Sequence, residues 1–386
     1  MTLLAIMAGV ASLILAGGWV NDVFVALSEA LIHSQSGHLQ VYRKGFFAEG
    51  TRAPEKYLIA NPNAIKQRIA VQAGIENVMA RLNFSGLLSN GRSDLPIIGE
   101  GVEPAQEAKL GSSVSIIAGR QLEDKDTFGV LLGQGVAQGL KLKPGDNVTL
   151  LANTLEGALN SIDLEVIGVF QSFSNDYDAR AIKIPLAAAQ ELLGTQDVNA
   201  LVIMLKRTDD TEPIATLLKA QLGASGLEIK TWDELNDFYE KTVELYKGQF
   251  GVLQLVILVM VLLSVANSVN MSIFERMGEF GTMMALGNRS RDVFRVIMIE
   301  NTLLGILGST LGLAVGVVLA LIISAIGISM PPPPNANMGY TAHIQVIPST
   351  LLISFSIGIL ATVLAAVFPA RHVSRVQVVE ALRQNL

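Results

Sequence analysis

The chain has 386 residues, of which 50% are hydrophobic and 16% are charged, and its formal net charge is −6. Soluble proteins carry about 25% charged residues, so this composition excludes an ordinary soluble protein and predicts a membrane protein. The mildly acidic balance argues against nucleic acid as a partner. Cysteine is absent, which excludes thiol catalysis and thiolate metal sites.

Four blocks that are nearly free of charge account for the hydrophobicity. They are Met1–Asn21, Gly248–Phe274, Asn301 to about Ile328, and Ile344–Ala370. Each can supply the roughly 20 residues that cross a bilayer as a helix. The long mixed stretch between the first two blocks can fold around its own core. The sequence therefore predicts a membrane α-helical fold of four transmembrane helices, with a large extracytoplasmic α+β domain inserted between helices 1 and 2.

These blocks divide the chain into predicted segments. They are transmembrane helix 1 and a stalk (1–34), the outer α+β domain (35–232), a stalk and transmembrane helix 2 (233–274), a helix and loop (275–300), transmembrane helix 3 (301–328), a Pro-rich outer loop (329–346), transmembrane helix 4 (347–370) and a tail (371–386). The first block lacks the basic lead and the processing site of a signal peptide, so we interpret it as a retained anchor. Whether a short basic segment precedes it stays open.

Apolar periodicity predicts the elements of the outer domain. We expect strands at 37–42, 78–88, 95–102, 147–151, 164–170, 181–184, 200–206 and 227–231, helices at 63–73, 185–194 and 211–222, and a strand running into a helix at 130–140. From Asp233 a helical pattern runs into the second block without a break. A rigid connection of this kind transmits displacement, whereas a Gly/Ser linker does not.

A short charged segment, Glu275–Gly287, lies between the second and third blocks. Met277, Phe280 and Met284 fall on one face of a helix, and Gly287 suits a helix stop because glycine takes a left-handed cap without steric cost. We expect a small helix at the membrane surface whose apolar face is available for contact with a partner. The alternative is an ordinary connecting loop.

Lysine and arginine in short loops predict the orientation, because cytoplasmic loops carry an excess of them. The segment Glu275–Glu300 contains four arginines and the tail after Ala370 contains three, whereas the loop Gly327–Val346 contains no lysine or arginine. We therefore expect the Glu275–Glu300 segment and both termini to face the cytoplasm. The large domain and the Pro-rich loop then face the outside.

Two features of the third block have both a structural and a functional interpretation. Gly308, Gly312 and Gly316 recur at a four-residue spacing that lets another helix approach closely, so we assign them to helix packing; the alternative is a glycine-rich span without a partner helix. Glu300 stands at the edge of the span. It could belong to a proton pathway, but we favour an interaction with the dipole at a helix start.

Motifs for enzymatic chemistry are missing from the sequence. It contains no Gly-x-x-x-x-Gly-Lys-Ser/Thr phosphate loop and no Gly-x-Ser-x-Gly elbow. None of its four histidines has metal-ligand spacing with a carboxylate. We therefore expect no catalytic, cofactor-binding or metal-binding residues, and no enzyme.

Four stretches carry a resemblance to a known family. They are Glu275–Gly281 with Ala285–Gly287, Phe368–Arg371 with Val379–Arg383, Val130–Leu193 with the Lys143–Asp146 turn, and Ser36–Val41. The first three resemble, in that order, the coupling helix, the C-terminal signature and the outer domain of type VII ABC transporter permeases, which include MacB, LolC, LolE and FtsX. The fourth resembles the first outer strand of the LolC/LolE branch. The LolC/LolE lipoprotein-releasing branch is closest, because MacB carries its ATPase on the same chain and FtsX has a smaller outer domain.

The resemblance implies a permease of the cell inner membrane with a periplasmic MacB-like domain and no cofactor of its own. Its implied partners are two copies of a cytoplasmic ABC ATPase that binds ATP and Mg, a second permease of the same or different sequence, and membrane lipid; a periplasmic carrier or adaptor protein is a further candidate. Nine residues would couple to the ATPase: Glu275, Arg276, Met277, Glu279, Phe280, Met283, Met284, Leu286 and Gly287. The apolar ones would pack into a groove, and the charged ones would fix the register.

The resemblance further implies mechanotransmission, in which ATP hydrolysis by the partner drives periplasmic movement and so extracts or exports lipoprotein or another hydrophobic cargo. One alternative is an FtsX-like signalling permease that activates a periplasmic cell-wall hydrolase without transport. A second alternative is a membrane enzyme, which would need a polar cluster at the outer leaflet that the sequence does not supply.

Overall fold

A computed structural model of the chain describes residues 2–50, 57–110, 114–331 and 339–373. The described residues divide into two compact units, whose boundaries fall after Val25, Glu240, Met330 and Tyr340. The unit that contains the four long apolar helices is called the membrane unit. The other, built mainly from the residues between Val25 and Lys241, is called the sheet unit.

The described part of the chain contains eleven α-helices. They are α1 (Thr2–Leu31), α2 (Pro62–Ala70), α3 (Pro104–Leu110), α4 (Gln134–Leu140), α5 (Asn175–Asp178), α6 (Leu186–Leu193), α7 (Thr211–Leu222), α8 (Asp237–Glu275), α9 (Met277–Ala285), α10 (Ser290–Ile326) and α11 (Pro348–Val373). Two π-helical turns, Ile32–Ser36 and Phe46–Gly50, follow α1 and β1.

Ten strands form one mixed sheet within the described residues. They are β1 (Leu39–Arg43), β2 (Ile75–Ser89), β3 (Asp94–Val102), β4 (Ser115–Gly119), β5 (Gly129–Gly133), β6 (Asn147–Asn153), β7 (Leu159–Gln171), β8 (Ala181–Pro185), β9 (Ala200–Leu205) and β10 (Leu227–Thr231). Their order is β10-β1-β9-β2-β3-β8-β5-β7-β4, with β6 paired to β2 and β7. The β3–β8 and β5–β7 pairs are parallel and the other pairs are antiparallel. Two short strands, β11 (Ile328–Met330) and β12 (Tyr340–Ala342), form a separate pair.

Local sequence explains where the helices of the sheet unit begin and end. Pro185 closes β8 and immediately precedes α6, where its fixed φ suits the entry to a helix. Gly194 ends α6 in the left-handed conformation, with φ 69°. Gly157 has φ 85° in the turn between β6 and β7, where glycine removes the steric cost of a positive φ. These turns hold the helices against the sheet.

Two buried apolar clusters stabilise the sheet unit. One joins strands β2, β3 and β5 to β8 to helices α4 and α6, with Leu88, Val130 and Ile184 fully buried. The other joins β1, β9 and β10 to helices α2 and α7, with Leu39 and Leu201 fully buried. Helices on a mixed sheet match the predicted α+β class.

The membrane unit contains four helices that are long and apolar enough to span a bilayer. The candidate spans are Thr2–Ser36, Tyr239–Glu275, Ser290–Ile326 and Pro348–Val373. A buried cluster holds them together through residues such as Ile6 of α1, Val265 of α8, Ile297 of α10 and Ala366 of α11. The predicted four transmembrane helices agree with this arrangement.

Several predicted boundaries differ from the structure. Helix α8 begins at Asp237 rather than Asp233, because the Asn236 side chain donates to the carbonyl of Trp232 and forms a turn first. Helix α10 begins at Ser290, although its apolar block begins at Asn301. An uncharged block marks the residues that suit the hydrocarbon core of a bilayer. The helix itself extends beyond that block, because charged residues can continue it into water.

The structure contains three further elements that the sequence patterns did not predict: strand β4 and helices α3 and α5. They were missed because β4 is partly exposed and the two helices are short. The central part of the predicted Pro-rich loop, residues 332–338, and the end of the C-terminal signature, Val379–Arg383, lie outside the described residues.

Candidate coupling site in the membrane unit

Helix α9 is a nine-residue helix that follows α8 after a single break. Helix α8 ends at Glu275, and Arg276 leaves the helical conformation with φ −104° and ψ 13°. The carbonyl of Arg276 then accepts the N–H of Phe280 at 3.2 Å. The predicted segment is therefore two elements, the last turn of α8 and a separate short helix.

The end of α9 is fixed by Gly287. The N–H of Gly287 donates to the carbonyl of Met284 at 3.1 Å, and the N–H of Asn288 donates to the carbonyl of Met283 at 3.1 Å. Gly287 has φ 100°, and this pair of bonds is the Schellman arrangement that favours glycine. The helix stop predicted at Gly287 agrees with the structure.

The apolar face of α9 points into the membrane unit. Met277 is 4% exposed and Phe280 is 2% exposed, and both belong to the buried cluster that includes Val293 and Ile297 of α10. The structure therefore corrects the expectation that Met277 and Phe280 are offered to an ATPase. Helical periodicity identifies an apolar face, but it does not identify the surface that covers that face.

The exposed residues of the predicted coupling set lie in α9 and next to its two ends. Glu275, Glu279, Leu286 and Gly287 are exposed, and Leu286 is 84% exposed. Two further members of the set, Met283 and Met284, are half-buried against the apolar cluster. The exposed surface thus combines two carboxylates with one large apolar side chain at the helix end.

Arg276 makes contacts within the membrane unit. Its Nη1 donates to both carboxylate oxygens of Glu300, at 2.7 and 2.8 Å, and its Nε donates to Oε2 of Glu279 at 2.9 Å. The guanidinium carbon lies 5.4 Å from the centre of the Phe280 ring, within the range of a cation–π contact. Arg276 thus connects the α8–α9 corner to α9 and α10.

The interpretation of Glu300 as a residue at a helix start is wrong. Helix α10 begins at Ser290, so Glu300 lies well inside it, and the helix-dipole effect is confined to about the first turn. Glu300 is instead paired with Arg276. A paired carboxylate needs no proton pathway to explain its position near a membrane span.

The three glycines of the third block lie where α10 meets α1. A Cβ atom at Gly308 would lie 3.0 Å from Ile6, and one at Gly312 would lie 2.8 Å from Val10 and 2.9 Å from the carbonyl oxygen of Met7. At Gly316 the nearest atoms belong to Ile14 and Ala11. The stripe leaves room for α1 at a distance that larger side chains would prevent.

A buried charge network in the sheet unit has no counterpart in the predictions. The Arg81 side chain of β2 and the Lys183 side chain of β8 both donate to Oε1 of Glu107 in α3, at 2.7 and 2.6 Å. All three residues are at most 5% exposed. Burial opposes ionisation of Glu107, but the two cations lower its pKa to about 2. This network joins three elements that are distant in sequence.

A second polar cluster lies at the end of α1 in the sheet unit. Nε2 of His38 is 3.2 Å from Oγ1 of Thr208, and the Thr208 hydroxyl donates to Oε1 of Glu29 at 2.6 Å. Glu29 also pairs with His33 at 3.1 Å. Burial, together with the adjacent His33, lowers the pKa of His38 to about 4. The sequence indicates only that His33 and His38 are close together in the chain.

Metal chemistry has no structural support within the described ranges. No group of three or more His, Asp or Glu side chains there is arranged to hold a metal ion. Glu279 and Glu300 each form an ion pair with Arg276.

Comparison with protein families covers both units. The family model for the MacB-like periplasmic core domain matches residues 1–221, and the model for the FtsX-like permease C-terminal domain matches residues 251–378. The second match contains α9 and most of α8. The candidate coupling site thus lies in the segment that matches the FtsX-like permease model.

Individual proteins and one solved structure are also similar to parts of this chain. An uncharacterized ABC transporter permease of Methanocaldococcus jannaschii is 27% identical over 295 residues, which cover 72% of this chain and 68% of the relative. The lipoprotein-releasing system transmembrane protein LolC of Xylella fastidiosa is 24% identical over 315 residues, which cover 78% of this chain and 76% of the relative. The crystal structure of the periplasmic region of MacB from Actinobacillus actinomycetemcomitans aligns with a TM-score of 0.39 and 16% identity, over 54% of this chain and 94% of that one. With both family models matched, the chain belongs to the ABC transporter permeases that combine a MacB-like periplasmic core domain with an FtsX-like permease domain.

Proposed function

We propose that this permease converts ATP hydrolysis by a separate cytoplasmic ATPase into movement of its periplasmic domain. In this proposal the chain has no ATP site of its own, and two copies of the ATPase serve a pair of permeases, of the same or different sequence. The movement extracts or exports lipoprotein or another hydrophobic cargo at the outer side of the inner membrane. Both termini then face the cytoplasm.

The continuity of α8 is the observation that carries this proposal. The helix runs for 39 residues from Asp237 to Glu275 without a break, although Gly248 and Gly251 lie within it. At a rise of 1.5 Å per residue it is about 58 Å long, which exceeds the roughly 30 Å hydrocarbon core of a bilayer. A rigid helix of that length can carry displacement from one side of the membrane to the other.

The exposed face of α9 supports ATPase docking next to this helix. Leu286, which directly follows α9, is a large apolar side chain with 84% exposure. Glu279 is exposed within α9, and Glu275 is exposed at the end of α8. A protruding apolar anchor with charged neighbours suits a groove on a protein partner, where buried anchors dominate the binding energy. We therefore assign docking to this face and internal anchoring to Met277 and Phe280.

The arginines that follow α9 also support docking of the ATPase there, because they favour a cytoplasmic location for this part of the chain. Arg289, Arg291 and Arg295 follow α9 and are exposed, and arginine is enriched in cytoplasmic loops. The lipoprotein cargo is proposed by analogy with LolC, a transmembrane protein of the lipoprotein-releasing system. Other relatives include macrolide exporters of the MacB type, so another hydrophobic cargo fits the same architecture.

Affinity purification from the native membrane tests the proposed function. The full chain is isolated in mild detergent, and proteins and lipids that accompany it are identified by mass spectrometry. We expect an ATPase subunit with a Gly-x-x-x-x-Gly-Lys-Ser/Thr motif, together with a second permease, a periplasmic carrier or bound lipoprotein. If a cell-wall hydrolase accompanies the ATPase instead, the chain is a signalling permease, and if no ATPase is found, the proposal is wrong.

Single-cysteine labelling tests the orientation separately. Because the sequence has no cysteine, Gln138→Cys in the periplasmic domain and Asn288→Cys after α9 each introduce one reactive thiol at an exposed position. In intact spheroplasts, we expect a membrane-impermeant maleimide to label Gln138→Cys and to reach Asn288→Cys only after permeabilisation. The reverse pattern would show that the chain is inserted the other way round.

A further inference from the structure

The contacts of Arg276 leave few of its donors for a partner protein. Nη1 and Nε are directed at Glu300 and Glu279 of the same chain, at 2.7–2.9 Å. The ring of Phe280 lies beside the guanidinium group. An arginine presents its donors in a fixed planar fork, so these contacts determine the direction of the side chain. Arg276 is therefore held by its own chain.

The ion pair contributes more to geometry than to folding stability. The side chains of Arg276 and Glu300 are 36% and 42% exposed, and exposed pairs contribute only about 0–1 kcal/mol. Their placement is nevertheless specific, because Arg276 stands where α8 gives way to α9 and Glu300 stands inside α10. The pair bridges the helix that would meet the ATPase and a helix that spans the membrane.

We propose that Arg276 and Glu300 form a clasp that fixes the angle between α9 and α10, so that displacement of α9 is passed to α10. This inference rests on the proposed function and assigns one part of it to two residues. Arg276 acts as a positioning residue whose partner is Glu300 of the same chain, not a carboxylate of the ATPase. Glu279 supports the clasp by holding Nε of the same guanidinium.

Distance measurement between α9 and α10 tests the clasp without any partner. Ala285→Cys and Val296→Cys place spin labels at exposed positions on the two helices of a chain that has no native cysteine. In nanodiscs, we expect one narrow distance distribution for this labelled chain. Charge reversal, Arg276→Glu, should broaden it, because two carboxylates then face each other. The swapped pair, Arg276→Glu with Glu300→Arg, should narrow it again.

A mismatched pair provides the control. Arg291→Glu with Glu300→Arg has the same charge composition as the swapped pair, but Arg291 is an exposed residue of the first turn of α10. We expect this control to leave the distribution as broad as Glu300→Arg alone does. If Arg276→Glu fails to enter the membrane, Arg276→Lys replaces it, since lysine retains the charge but loses the fork that reaches both carboxylates.

ATP hydrolysis by the complex provides the second measurement. With the ATPase that accompanies the wild-type chain, Arg276→Glu and Glu300→Arg should each lower permease-dependent hydrolysis, and the swapped pair should recover at least about threefold, as expected for residues in direct contact. An unchanged distance distribution in Arg276→Glu, or no recovery in the swapped pair while the ATPase still associates, would overturn the clasp. If the proposed function itself is wrong, the result will differ: the wild-type chain will bind no ATPase but will keep the narrow distance distribution.

Discussion

The backbone N–H of Leu205 donates a hydrogen bond of 3.2 Å to Nδ1 of His38 in the periplasmic domain. This bond requires Nδ1 to be unprotonated, so the proton of the neutral ring lies on Nε2, which faces the Thr208 hydroxyl. The Thr208 hydroxyl in turn donates to Glu29. A neutral His38 thus links β9 to the end of α1 through a directed chain of hydrogen bonds.

Protonation of His38 should weaken this part of the domain. Its pKa is about 4 in the folded chain, against an ordinary value of 6.5. Between these pH values the unfolded state binds a proton that the folded state does not, so the stability contribution is present above about pH 6.5 and is lost as the pH falls towards 4. The opposing charge of Glu29 reduces the effect without reversing it.

Hydrogen exchange of the β9 amides in the full chain checks this expectation. After correction for intrinsic rates, protection of the Leu205 amide should fall between pH 6.5 and pH 4. His38→Asn keeps an acceptor for Leu205 but does not titrate, so its protection should depend less on pH. His343→Asn, which changes an exposed ring in the membrane unit, should behave like the wild type. Equal pH dependence in all three proteins would refute the role of His38.

Removal of Glu107 should destabilise the periplasmic domain strongly. Glu107→Ala leaves Arg81 and Lys183 buried without their shared carboxylate, and breaking a buried pair in this way costs about 3–5 kcal/mol. Glu123→Ala is the matched control, because its partner Lys125 is exposed and surface pairs contribute about 0–1 kcal/mol. Denaturant unfolding of the full chain in detergent measures both. Similar midpoints for the two variants would show that the network does not stabilise the fold.

A large side chain at Gly312 should disrupt the contact between α10 and α1. Even a Cβ atom there would lie 2.8 Å from Val10, and overpacking of this kind costs about 1–3 kcal/mol. We expect Gly312→Leu to lower the thermal unfolding temperature and the yield of folded protein in detergent. Gly251→Leu in α8 is the control, since no atom lies within 4 Å of a Cβ at that position. If the Gly312→Leu variant had the same unfolding temperature and folded yield as the control, a close-packing role for Gly308, Gly312 and Gly316 would be excluded.

Phe280 and Leu286 should have separate roles although both belong to the predicted coupling set. Phe280→Ala removes a fully buried ring and should destabilise the membrane unit by about 3–5 kcal/mol. Leu286→Asp changes an exposed residue, so it should leave stability within about 0.5 kcal/mol and weaken ATPase association. Thermal unfolding and co-purification of the ATPase distinguish the two effects. Normal ATPase binding by Leu286→Asp would remove the docking role of that face.

Sequence patterns were sufficient for elements whose limits are set locally. The helix Thr211–Leu222 and the strand Leu227–Thr231 match the predictions at both ends, because proline and glycine stand close to their boundaries. The four apolar blocks likewise predict the four long helices. Bilayer length and local turn chemistry therefore determine most of the architecture.

The same sequence patterns did not predict the charged sites. Arg81 and Lys183 lie 26 and 76 residues from Glu107, and each alone resembles an ordinary surface charge. The orientation of α9 was missed for a related reason, since an apolar stripe containing Phe280 fits an internal cluster as well as a partner. The burial of Phe280 in a cluster with Val293 and Ile297 of α10 distinguishes these possibilities.

Coupling between ATP and the periplasmic domain is tested most directly by a distance measured across the membrane. Fluorescent labels at Gln138→Cys and Asn288→Cys, both exposed, report on the two sides of one chain in the complex with its ATPase, reconstituted in nanodiscs. We expect energy transfer between the labels to change when ATP binds and to return after hydrolysis. Identical energy transfer with and without ATP, in a complex that hydrolyses ATP, would contradict mechanotransmission.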